Sequence, residues 1–143
     1  MTKSKSMIVV LFCVLCAALM MCVWALFHGY FDRGQFEIRD SQQSSSKKLA
    51  MLARRSDLEA LNGDVYFVLI GDHLLSPTEL RRSYHGHEAV FATNRDCLNL
   101  HWEDSSKLVV SCIGPPITSG QIDVQQRQIG DIAISYINIP SVN

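Results

Sequence analysis

The chain has 143 residues; 48% are hydrophobic, five are cysteine, and 13 Lys+Arg against 14 Asp+Glu leave a formal net charge of −1. That length holds one small domain plus one membrane segment and excludes a multi-spanning transporter or a multidomain enzyme. The near-neutral charge excludes a nucleic-acid binder held by bulk positive potential.

The average hides an uneven distribution. Met7 to Phe27 is an unbroken apolar run of about 21 residues, and the remainder of the chain is only about 39% apolar. As a helix the run reaches about 31 Å, close to the hydrocarbon thickness of a bilayer. It contains no charge, proline or glycine, and a domain of about 115 residues cannot wrap a helix that is apolar all round. The sequence therefore predicts a cytoplasmic tail at 1–6 and a transmembrane anchor at 7–28. Trp24, Phe27, Tyr30 and Phe31 cluster at its far end as membrane-interface rings. The run is longer than the apolar region of a cleavable signal, and the one cleavage-like triplet, Val23-Trp24-Ala25, lies inside it, so retention is expected. Lys3 and Lys5 on a very short tail favour an N-in, C-out orientation.

Residues 29–46 read as a polar stalk with glycines, paired glutamines and three consecutive serines, in which Gln35 to Arg39 can form a short strand. The domain proper is expected at 47–143. Leu49 to Leu61 fits either a helix ended by Gly63 or a strand feeding a loop at Leu61-Asn62-Gly63-Asp64. Val65 to Ile70 is β-branched or aromatic at every position but Leu69, the pattern of a central strand. Ser76-Pro77-Thr78-Glu79 has capping-box spacing with proline at the first helical position, so a short helix is expected from Pro77 to Tyr84. His87 to Thr93 is a further candidate strand. Cys97 to Trp102 and Lys107 to Cys112 flank Glu103-Asp104-Ser105-Ser106 as a hairpin. Ile122 to Gln128 and Ile132 to Ile137 are two more alternating stretches. The fold class is mainly β, an antiparallel sheet or small sandwich with one short helix behind the transmembrane helix.

Three cysteines lie in the apolar run and two in the domain. If Asp104 and Ser105 centre the turn, Trp102 faces Lys107 and Cys97 faces Cys112. Facing residues of an antiparallel ladder have Cα atoms about 4.5 to 5.5 Å apart, within or near the reach of a disulfide. A Cys97–Cys112 bond is therefore expected, together with the oxidising compartment that such a bond requires. A one-residue slip in register would carry the two thiols to opposite faces.

The chain resembles small single-pass envelope proteins of Gram-negative bacteria. The likeness rests on the N-terminal anchor, Lys47-Lys48-Leu49-Ala50, the Gly63-Asp64-x-Tyr66-Phe67-Val68 segment, and the hairpin carrying Leu100, Trp102 and Leu108. It implies a β-rich extracytoplasmic domain, favours strand over helix for Lys48 to Arg54, and carries over no catalytic or ligand residue.

Candidate chemistry is sparse. His85 and His87 are the only close histidine pair; on a strand they would point the same way, as two ligands of a transition metal. His73, Glu88, Asp96 or His101 would have to complete such a site, and nothing in the sequence fixes their approach. Neither Gly-x-Ser-x-Gly nor His-Glu-x-x-His occurs, and no cofactor is implied. Arg54-Arg55 and Arg81-Arg82 are basic doublets that suit a solvated surface or acidic headgroups. Trp102 is expected to pack across the strand pair on the Lys107 stem. The resulting expectation is a non-enzymatic accessory or protein-interaction module in the bacterial inner membrane, its C-terminal domain periplasmic. Its partners would be the lipid bilayer and an envelope protein, with no nucleic acid; the alternative is an anchored sensor or small-ligand binding domain.

Overall fold

The computed structural model describes residues 2–27, 32–57 and 63–142. Helix α1, Thr2–Phe27, contains a 20-residue stretch, Met7–Leu26, long and apolar enough to cross a membrane. Its large side chains stand exposed, Leu11 at 72% and Met20 at 73% among them.

A second compact unit begins at Arg33. Its strands are β1 (Gln35–Gln43), β2 (Leu49–Ser56), β3 (Val65–Gly71), β4 (Phe91–Thr93), β5 (Leu98–Trp102), β6 (Lys107–Cys112), β7 (Ile122–Gln125), β8 (Gln128–Ile129) and β9 (Ile132–Ile137). Helix α2, Pro77–His85, lies between β3 and β4. One sheet runs β1-β2-β3-β4-β7 and the other β5-β6-β9-β8. The fold is mainly β, as the sequence implies, but not wholly antiparallel: β6 and β9 pair in parallel, Lys107 opposite Ala133 through Ser111 opposite Ile137.

Period-two side-chain alternation makes this a three-layer domain. From the first sheet, Ala50, Leu52, Tyr66, Val68 and Phe91 meet Leu100, Leu108, Val110 and Ile134 of the second sheet in one buried cluster. The opposite face of the first sheet sends Met51, Ala53, Phe67 and Leu69 against Leu80 of α2. With both faces covered, β2 is apolar from Leu49 to Ala53 and β3 throughout, which accounts for the unbroken run at Val65 to Ile70. Helix α2 starts as expected: Ser76 caps the Glu79 N–H while the Glu79 carboxylate accepts from the Ser76 N–H at 2.8 Å, and Pro77 follows the cap.

Three expectations are corrected and one ambiguity is resolved. The stretch read as a stalk supplies β1, a full edge strand paired with β2 from Gln35↔Ser56 to Gln43↔Leu49, so the domain begins near Arg33 rather than at 47. An edge strand with one solvated face buries little; only Phe36 is buried in β1, and a bulge falls between Ile38 and Asp40. The ambiguous Leu49 to Leu61 is strand through Ser56, with 58–62 outside the described residues. The strand expected at His87 to Thr93 is reduced to Phe91–Thr93. Finally, Ile122 to Gln128 divides: β7 completes the first sheet, whereas β8 crosses to the second and turns at Gly130, φ 57°, into β9.

Candidate functional site

The hairpin forms with a register one residue away from that expected. Trp102 faces Leu108 and Leu98 faces Cys112, because Asp104, Ser105 and Ser106 all lie in the turn, closed by the Glu103 N–H donating to the Lys107 carbonyl at 3.0 Å. Asp104 accepts from the Ser106 N–H at 2.7 Å and is thereby held below the usual carboxylate range. Cys97 lies just before β5, where its carbonyl accepts from the Ile113 N–H at 2.8 Å. The disulfide to Cys112 is nonetheless present, with Cα atoms 4.8 Å apart. Outside the regular ladder, Cys97 is free of the face alternation that would have separated the thiols.

Trp102 does not pack on Lys107. Its indole N–H donates to the Gln42 carbonyl of β1 at 2.8 Å, and the Ser46 hydroxyl donates to the Ser105 carbonyl at 2.9 Å, so the two sheets are tied at this corner. Lys107 pairs instead with Glu103, which raises its pKa.

His85 and His87 do not share a strand. His85 ends α2 with its ring edge-on to Tyr84, and His87 follows Gly86 in the left-handed region, φ 57°. No group of three or more His, Cys, Asp or Glu among the described residues is placed to hold a metal ion. The basic doublets are largely engaged within the domain. Arg54 pairs with Asp64 at 2.7 Å and Glu37 at 3.2 Å, and Arg55 pairs with Asp57 while covering the Tyr84 ring. Arg81 donates to the Gly34 carbonyl over the Phe36 ring; Arg82 stands exposed. Of the interface rings, Trp24 is 62% exposed near the end of α1; the Phe27 side chain, Tyr30 and Phe31 lie outside the described residues.

A concavity among the described residues was not evident in the sequence. It lies beside the start of β4: β4 pairs with β3 only from Val68↔Phe91 to Tyr66↔Thr93, and the residue before it, Val90, donates its N–H to the Val68 carbonyl and accepts from the Gln126 N–H. Beyond Val68, the edge of β3 opens into two adjoining hollows of about 400 and 300 Å³, both lined by Ile70, Gly71 and Ile129. Leu69 and Leu75 line the larger hollow, with Glu88 and Gln126 also contributing; Lys48, Asp72 and Asp131 line the smaller. Close by, His73 Nδ1 meets Asp72 at 2.7 Å, and its Nε2 stands 3.6 Å from Glu79. The hydrogen bond to Asp72 raises the His73 pKa, and the same bond lowers that of Asp72; Glu79 is lowered chiefly by the Ser76 N–H. On the other side of the crossing, the Tyr136 hydroxyl donates to the Gln126 carbonyl, and burial pushes its pKa up to about 12.

No known protein family, curated protein or solved structure matches the chain. The resemblance to envelope proteins thus rests on the sequence motifs alone, and the functional reading rests on the fold, the disulfide and the β3 edge.

Proposed function

We propose that this chain is a single-pass protein of the bacterial inner membrane, anchored by α1, whose sandwich domain lies in the periplasm and works as a non-enzymatic accessory by binding another envelope protein. The observation that carries the reading is the pairing of a membrane-length apolar helix with a domain closed by the Cys97–Cys112 disulfide. A disulfide persists in an oxidising compartment, so the bond supports export of the domain, and the uncharged helix supports retention of the chain at the membrane.

The test is site-specific photocrosslinking in native membranes at exposed positions over the domain. A partner captured reproducibly at a defined set of positions is the expected result. Capture at none of them, with the chain present and folded, overturns the binding-module reading. A second reading, a small-molecule sensor, is supported by the size of the larger hollow, which falls within the range of ligand pockets. Stabilisation of the detergent-solubilised chain by a soluble metabolite would favour it.

A further inference from the structure

We propose that the open edge of β3 takes an extended, Lys- or Arg-bearing segment of the partner as an added strand, an inference that rests on the binding-module reading. Successive residues of a strand direct their peptide groups to opposite edges. The Val68 carbonyl is turned towards β4, where it accepts from Val90; Ile70, two residues on, therefore turns its N–H and C=O to the same edge, past the last β3–β4 pair at Val68↔Phe91. A bare sheet edge is a template for another chain, and strand addition is a recurrent mode of peptide recognition.

The walls suit that occupant. An extended segment lying along Ile70 alternates its side chains between the α2 side, offering Leu69 and Leu75, and the second sheet, offering Ile129. These apolar residues are interspersed with Ser83, His87, Glu88 and Gln126, so the segment's central residues should be apolar where they meet Leu69, Leu75 and Ile129. Charge then sets what flanks them. Glu88, Asp72 and Asp131 line the hollows against Lys48 and the His87 imidazole, and His73 pairs with Asp72; Glu88 and Asp131 thus leave the ends of the site to complement cations.

The experiment uses the full chain in detergent micelles and three peptides: acetyl-Lys-Val-Val-Val-Lys-amide, the same peptide N-methylated at the central valine, and its Glu-flanked counterpart. The readout is hydrogen exchange of the Ile70 amide together with peptide affinity. The lysine peptide should slow Ile70 exchange at least tenfold, N-methylation should abolish that protection, and the Glu-flanked peptide should bind at least tenfold more weakly. Glu88 and Asp131 are exposed, and Glu88→Lys with Asp131→Lys should reverse the preference between the two charged peptides without loss of folding. Unchanged Ile70 exchange at saturating lysine peptide, or equal protection by the N-methylated peptide, overturns the proposal. Photocrosslinkers at Ile129 and, on the outer face of β5, at His101 separate this failure from that of the wider reading. A partner captured at His101 or another exposed position and not at Ile129 overturns strand addition but leaves the binding module standing, and capture at no exposed position of the domain overturns both.

Discussion

Removal of the disulfide tests the domain's dependence on an oxidising compartment most quantitatively. The bond links residues 15 apart in sequence, and closing a loop of that size lowers the entropy of the unfolded chain by an amount worth about 3 kcal/mol at 25 °C. For a folding unit of roughly 110 residues, 1 kcal/mol moves the melting temperature by about 4 °C, so the expected loss is about 12 °C. Cys97→Ala with Cys112→Ala is the suitable variant, because Cys112 is 5% exposed in the inter-sheet core and alanine leaves no polar group there. The Ile113–Cys97 backbone bond and the β5–β6 ladder do not depend on the sulfurs, so the fold should persist. The assay is thermal unfolding followed by near-ultraviolet circular dichroism, with and without reductant, on protein whose cystine has been verified by mass spectrometry. Both the variant and the reduced wild type should melt about 12 °C lower. A shift under about 2 °C in protein shown to carry the bond would refute the reasoning, since a bridge that does not constrain the unfolded state cannot make this domain depend on its compartment.

Three further outcomes follow from particular contacts. His73 should titrate above the ordinary histidine value of about 6.5, and Asp72→Asn should lower its pKa, as read by imidazole NMR; an unchanged midpoint in the variant would remove Asp72 as the cause. Because the folded pKa is raised, the contribution of this contact is fully present below the unfolded value and disappears as pH rises through the folded one. Trp102→Phe keeps an aromatic ring, a smaller one, and loses the bond to the Gln42 carbonyl, and should cost at least about 1 kcal/mol in urea unfolding, with faster amide exchange at the end of β1. Phe67→Ala, at a side chain 0% exposed between β3 and α2, should cost about 3–5 kcal/mol by the same assay, a loss that an exposed Ile113→Ala should not approach.

What could be read in the sequence was what short-range chemistry dictates. The caps of α2 stand within four consecutive residues, and β3 declares itself because both its faces are buried, a condition visible as Val65 to Ile70. The local pattern centres the hairpin on two residues, whereas three form the turn, so the register differs by one; the cysteines still bond because Cys97 sits outside the ladder. β1 was less legible because an edge strand buries so little that Gln35 to Gln43 reads as polar spacer. The parallel pairing of β6 with β9 depends on how distant strands assemble, and no local pattern announces it. The β3 edge was invisible for the same reason: it exists because β4 begins only at Phe91 and β8 crosses between sheets, two facts of assembly rather than of composition.

The central claim is that the sandwich domain lies outside the cytoplasm while α1 stays in the membrane. Its most direct test is labelling of a single added cysteine, His101→Cys on the exposed face of β5, with a membrane-impermeant maleimide in spheroplasts and in lysed membranes. The account predicts full labelling in intact spheroplasts on a chain that sediments with the membrane. Labelling only after lysis, or a chain released to the soluble fraction, would contradict it.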